Sequence, residues 1–404
     1  MEMERGLRIG SVFLVMAFLL AGLSIGVFGA SYNMSVKIDL DKQTIQGYED
    51  VTCTPSGGHL YFLLLANLNR EQNPYESDRS IDSIYPSGFE PSSTTIDSVE
   101  TVQSGSSGAV SFRLLSIPPA WQTYSLDKTV LAVDLLGDAK VTLRVHFTTH
   151  VPRMASGDQG IYQGVLTWRF GWNPILLPPD QAWKEKDGTL QPPTKDFPLE
   201  IPAADYAAQI TVPADVTLAC GADHSDPTAS SDKDTKDVTY HVSNDAPVRT
   251  IAIAASKDYK RFSLDDLSIP IEVYYLPGHD ETARLFATYA DDILKNYVKR
   301  YGAYPRTRLT IVENPNQQGL SMAADGIVWL SDLFFSHRNV TLPGMLNRLS
   351  EFVLAHEIAH QWWGIGIGVD LNAQNWLSEG MAQYLSITYF EGKYGEFGPN
   401  LFDT

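Results

Sequence analysis

The sequence predicts a multidomain chain in which a β-rich, sandwich-like domain precedes an α+β domain. Three observations carry that prediction. A length of 404 residues exceeds what one ordinary core accommodates. Short stretches of alternating apolar and polar residues fill Ser31 to about Lys260. Beyond Ile269 the apolar period changes to that of helices alternating with strands. A content of 44% hydrophobic and 19% charged residues suits folded domains and not a disordered chain.

Residues 1–30 are read as a leader. Arg5 and Arg8 precede a run from Ile9 to Phe28 that contains no charge. Such a run serves as a long signal-peptide core or just spans a bilayer. Its cationic flank stays in the cytoplasm, so the chain after Ala30 is expected outside, either secreted or anchored through residues 9–28. Val27-Phe-Gly29-Ala30 offers small residues for cleavage, although Phe28 suits a cut after Ala30 poorly.

Residues 31–260 form the predicted β domain. In Val141–Val151 the residues Val141, Leu143, Val145, Phe147 and Val151 share one face, the period of two that a half-buried strand requires. Ala208–Pro213, Val238–Val242 and Thr250–Ala255 read the same way. Asn73–Gly108 is Ser/Pro-rich and reads as long surface loops, and Ala222–Asp237 reads as a solvated hairpin loop. Cys53 and Cys220 lack C-x-x-C spacing, which excludes a zinc knuckle or thioredoxin-type site, and their pairing stays open.

Residues 261–404 form the second domain. Ile271–Tyr275 and Thr307–Val312 read as strands. Glu281–Tyr301 has helical periodicity through Ala283, Leu285, Phe286, Ala290, Ile293, Leu294 and Tyr297, and Gly344–Trp363 and Trp376–Phe390 read as helices. The net charge of −18 argues against nucleic acid, whose binding needs a basic patch, so no nucleic-acid partner is expected.

The chemistry concentrates in His356-Glu-Ile-Ala-His360. On a helix, histidines four apart lie one above the other, so both imidazoles reach one ion while Glu357 stands beside it. Catalytic zinc takes three protein ligands and a water. Glu379 supplies the third, across an 18-residue gap in which Gly364, Gly366 and Gly368 end the first helix. A bare H-E-x-x-H arises by chance in roughly one chain of this length per hundred, so the placed Glu379 is what makes the signal specific. Gly364-Ile-Gly-Ile-Gly368 follows a helix and is no dinucleotide loop. Trp362 and Trp363 read as packing, and His146, His150, His224, His241 and His279 as surface or strand residues. Asn33-Met-Ser and Asn339-Val-Thr fit the glycosylation triplet.

His356-Glu-Ile-Ala-His-Gln-Trp-Trp-Gly364 and Trp376-Leu-Ser-Glu-Gly-Met-Ala382 closely resemble the aminopeptidase N family of gluzincins. Trp172–Pro178 and Tyr297–Pro305 are similar to segments of the same family. The resemblance runs from about Val141 to Tyr394 and implies a saddle-like β domain packed on a thermolysin-like zinc peptidase domain. In that family a glutamate of a Gly-x-Met-Glu-Asn segment captures the substrate's α-amino group. Here the matching stretch is Gly319-Leu-Ser-Met322-Ala323-Ala324-Asp325-Gly326, with Ala323 at the glutamate position and Asp325 two residues on. The resemblance also implies a transition-state tyrosine and a helical half of the catalytic domain beyond Thr404, so the catalytic domain reads as truncated. Tyr384 and Tyr389 are not that tyrosine.

The implied activity is hydrolysis of peptide bonds by an exported zinc enzyme holding one ion on His356, His360 and Glu379. Glu357 then activates a zinc-bound water and returns its proton to the departing amine. Two alternatives remain open. One is an endopeptidase or other amide hydrolase without N-terminal amine selection, and the other is a non-catalytic interaction scaffold of the same fold.

Overall fold

A computed structural model describes residues 29–75, 77–103, 106–117, 126–155, 158–179, 181–192, 201–230, 236–315, 321–336, 348–369 and 374–395. The leader run Ile9–Phe28, Asn339-Val-Thr and Gly319 lie outside the described residues. Among those described, no helix is long and apolar enough to cross a membrane.

The first part of the chain is built from three sheets around one core. In the largest, Asp237–Ser243, Asp205–Pro213, Ser31–Asp39, Thr44–Cys53, Val141–His150 and Ser93–Gln103 lie side by side in that order. The Ser31–Asp39 strand runs parallel to Asp205–Pro213 and antiparallel to Thr44–Cys53. Alternation sends Leu143, Val145 and Phe147 inward, each fully buried. They meet Leu60, Phe62, Leu131 and Val133 from a second sheet and Leu166, Trp168, Leu218 and Ile253 from a third. Cys53 and Cys220 are both buried free thiols, and burial pushes the Cys53 thiol up to about 12.

Two loop expectations are corrected here. Ser93–Gln103 is a strand paired to Val141–His150 along most of its length, and Asp78–Ile84 is a short helix. A bulge between Ile96 and Ser98 shifts the register, so the buried Ile96 and Val99 sit three apart and break the alternation a strand reading depends on. Within Ala222–Asp237, the strands Asp223–His224 and Thr228–Ala229 pair with Asp237–Ser243, so this segment is not simply a solvated loop.

The second part is a five-stranded sheet with helices packed on it. Its order is Lys260–Leu264, Ile271–Tyr275, Leu309–Asn314, Ile327–Ser331 and Ser321–Ala324, the last an antiparallel edge. Asp280–Tyr301 lays Ala283, Phe286, Ala290, Ile293 and Tyr297 against this sheet and against the helices Leu349–Ala359 and Asn375–Tyr394. The apolar period that predicted the helix is therefore its buried face.

The two parts meet through a mixed apolar cluster in which Val165, Ala219, Ala252 and Ala254 pack on Tyr274, Val312, Met322 and Trp329. Backbone touches backbone there. A Cβ built on Gly221 would stand 1.8 Å from the Asp325 carbonyl oxygen, and one on Gly326 1.9 Å from the Gly221 carbonyl oxygen. Beside this contact His224, expected at the surface or in a strand, is buried on its short strand with 3% of its side chain exposed, 3.2 Å from Glu272. Burial works against its charge, but the Cys220 sulfur and the Glu272 carboxylate outweigh it and hold the imidazole up to about 10. Burial likewise opposes ionisation of Glu272, yet His224, Arg261 and Arg308 hold its carboxyl down to about 2.

Two outcomes follow from this junction. Gly221→Ala should lose about 1–3 kcal/mol of stability through overpacking, read as a lower urea midpoint at unchanged slope. The His224–Glu272 contribution is complete between the ordinary values of 4.5 and 6.5, and fades as pH rises through about 10 or falls through about 2. Melting temperatures should therefore drop more steeply above pH 6.5 in the parent protein than in His224→Gln. Equal slopes would remove His224 from that role.

Candidate metal centre

The helix Leu349–Ala359 buries Phe352, Leu354, Ala355, Ile358 and Ala359 in the second core, which fixes its rotation. Its described span is Leu349–Ala359, against the Gly344–Trp363 expectation. Residues 344–347 lie outside the description, and Trp363–Gly364 pairs with Ile367–Gly368 as two short strands. His360 caps the helix in right-handed conformation at φ −58° and ψ −23°, so it still stands one turn from His356. The two imidazole rings lie 4.9 Å apart, centre to centre, at 82° to each other.

Chain reversal depends on Gly364, whose φ of +93° favours glycine and whose Cβ would fall 2.1 Å from the Ser378 hydroxyl. The helix Asn375–Tyr394 then returns against the first and presents Glu379 from its second turn. The Glu379 carboxylate reaches His356 Nε2 at 3.2 Å and His360 Nε2 at 3.8 Å. One donor atom from each of the three residues falls within 4.8 Å of the others. A tetrahedral zinc ion with bonds of about 2.0–2.1 Å needs donors roughly 3.3 Å apart, so the cluster fits that ion with small adjustment. Two nitrogens and one carboxylate oxygen are also the donor chemistry of a catalytic zinc centre with an open fourth position.

Neighbouring groups set the orientation of the donors. His360 Nδ1 lies 3.2 Å from the Trp363 carbonyl and 3.2 Å from the Ser378 hydroxyl. Donation there leaves Nε2 with its lone pair toward the cluster. Burial and the adjacent His356 push His360 down to about 4, which keeps it neutral. Burial also works against charge on His356, but the Glu379 hydrogen bond and the Glu357 charge raise it. Gln361, fully buried, accepts the Gly326 N–H at 2.8 Å and donates to the Ala324 carbonyl at 2.9 Å, tying the motif to the edge strand.

Glu357 is the fourth group at the cluster. It is buried, and burial pushes its carboxyl up to about 7, opposed in part by His356, a hydrogen bond from Ser321 and the charge of Arg169. A carboxyl with that value gains and releases a proton near neutrality, as general acid–base work requires.

Ala323 is fully buried on the edge strand, and Asp325 is buried with both oxygens engaged, one by the Arg249 backbone N–H at 3.0 Å and the other by the Arg306 guanidinium. Trp362 packs edge-on against Tyr297 and Tyr304, as read. Tyr389 is buried with its hydroxyl on Glu351 and Asp292, whereas Tyr384 is exposed. His279, read as a surface or strand histidine, instead hydrogen-bonds the buried Glu313 at 2.7 Å, just before the helix Asp280–Tyr301. Two site residues were not anticipated. Ser378 adjoins Glu379 within the quoted motif, so its position was the available signal. Arg169 comes from the first part of the chain, 154 residues from the Ala323 carbonyl that its Nε meets at 2.8 Å, and no local pattern announces it.

Fold and site together resemble a gluzincin, with two histidines from one helix and a glutamate from the next around a common point. Residues 287–399 match the peptidase family M1 domain. Aminopeptidase 2 of Candida albicans is 30% identical over 189 residues, which cover 46% of this chain and 20% of that protein. Human aminopeptidase O is 37% identical over 90 residues, covering 22% of this chain and 10% of that one. The chain thus spans a fifth or less of these relatives, at 20% and 10%. A mutant M1 zinc metallopeptidase from Deinococcus radiodurans shares the fold with a TM-score of 0.55 at 16% identity, over 93% of this chain and 74% of that one.

Replacing Ser378 by alanine should weaken zinc affinity about tenfold while leaving the fold intact. Competition against a chromogenic chelator measures this, and unchanged affinity would mean that the Trp363 carbonyl alone orients His360.

Proposed function

We propose that the protein is an exported, zinc-dependent metallopeptidase of aminopeptidase-like type that hydrolyses peptide bonds. The observation that carries this reading is the convergence of His356, His360 and Glu379 beside the buried carboxyl of Glu357. A zinc ion held by the three donors would supply Lewis acidity to polarise the scissile carbonyl and acidify a water. Glu357 takes the proton of the attacking water and delivers it to the amine that leaves. The proton thus moves through one side chain from nucleophile to leaving group. Likeness to aminopeptidases supports the substrate class, peptides. The uncharged run Ile9–Phe28 supports export, with that segment removed or retained as an anchor.

A second reading has its own support. Ala323 offers no carboxylate, and Asp325 is spent on Arg249 and Arg306, so no acid at that position holds a free α-amine. Cleavage without a strict need for a free N-terminus is the consequence.

The test uses the zinc-loaded full chain on one peptide with free and acetylated N-termini. Cleavage should stop with chelator, and Glu357→Gln should retain zinc while losing at least about a hundredfold in kcat. Retained turnover in Glu357→Gln would remove Glu357 from the proposed role.

A further inference from the structure

Beside the donors an open cavity of about 360 Å³ lies between the two parts of the chain, lined by Arg169 and Arg249 from the first and by Asp325, His360 and Glu379 from the second. Its acids are already engaged. Glu379 faces both histidines, and Asp325, 2% exposed, accepts from Arg249 and Arg306. An incoming ammonium group therefore meets no unspent carboxylate among the residues that line it.

The cation is placed differently. Arg169 follows the Val165–Trp168 strand, and its guanidinium lies over the Phe170 ring at 4.7 Å. Its Nε donates to the Ala323 carbonyl at 2.8 Å, and its Nη1 donates to Asp158 at 3.3 Å. Asp158 is 70% exposed on its side chain, so that ion pair is screened and weak. No hydrogen bond from Nη2 is present among the described residues. The guanidinium is thus held at the edge strand by its Nε and by the aromatic ring, with donors left over at the cavity. Its charge is felt at Glu357, His360 and Glu379, which sets it within electrostatic reach of the reacting centre. A planar fork of N–H donors beside an open cavity matches a carboxylate in shape and charge.

The geometry points to Arg169 as a specificity residue through which the cavity binds a peptide by a carboxylate, from an acidic side chain or a C-terminus, and not by a free α-amine. This rests on the peptidase reading for the nature of the ligand. It adds the sign of the charge that the site selects.

Binding, measured separately from turnover, tests it. The zinc-loaded full chain carrying Glu357→Gln is titrated calorimetrically with four peptides of one backbone. These are neutral and amidated, neutral with a free C-terminal carboxylate, amidated with one acidic side chain, and amidated with one lysine. At least one carboxylate peptide should bind about tenfold more tightly than the neutral amide, and the one that does identifies the source of the carboxylate. The preference should shrink with added salt, fall below about twofold in Arg169→Met, and survive in part in Arg169→Lys. Equal or tighter binding of the neutral or lysine peptide would overturn the inference, as would a preference intact in Arg169→Met or no binding at all. The salt series on unaltered Arg169 decides the matter even if Arg169→Met misfolds. Absence of cleavage by the parent chain would sink the peptidase reading alone, because the binding preference does not depend on turnover.

Discussion

The site depends on Glu379 reaching two histidines that belong to another helix. Its carboxylate stands 3.2 Å from His356 and 3.8 Å from His360, and local structure alone cannot produce that contact. It requires the first helix to end at Ala359, the chain to reverse through a positive-φ glycine, and the second helix to pack back in one register. Phe352 and Phe390, whose rings meet 5.2 Å apart, and Tyr297 beneath both helices hold that register. The apolar packing therefore sets the distances between donors. Three mutually close polar groups are costly to assemble without a cation, which is why a cluster of this kind points to a metal.

The junction between the two parts of the chain constrains the same place from the other side. Gly221 against Gly326 brings the first-domain backbone onto the turn of the edge hairpin, and Gln361 ties that turn to the motif helix. A displacement at the junction is thus transmitted by backbone contact and a buried amide to within one residue of His360. Arg169 also reaches the edge strand from the first part of the chain, its Nε on the Ala323 carbonyl. The first part of the chain consequently contributes a charge to the site as well as support for it.

Much of this was legible in the sequence, and the parts that were not have identifiable reasons. His356, Glu357 and His360 could be placed together because helical spacing converts sequence separation into a shared face, whereas Glu379, on the next helix, could be read only from its motif. The Val141–His150 strand and the Asp280–Tyr301 helix could be read because each buries one face at a single period. Ser93–Gln103 was hidden by a bulge that breaks the alternation. His224 was hidden because its partner Glu272 lies 48 residues away in another sheet, so burial followed from tertiary packing and not from its own polar surroundings. Arg169 was hidden for the same reason at longer range. Long-range electrostatic partners leave no periodic trace, whereas ligand pairs on one helix do.

The account stands on zinc being held by His356, His360 and Glu379. X-ray absorption at the zinc edge, on the full chain loaded with one equivalent, addresses that directly. The predicted spectrum has only nitrogen and oxygen neighbours at about 2.0–2.1 Å, with the multiple scattering of two imidazoles, and loses one imidazole in His360→Ala. Sulfur neighbours at about 2.3 Å, which would point to Cys53 or Cys220, or a spectrum unchanged in His360→Ala, would contradict it.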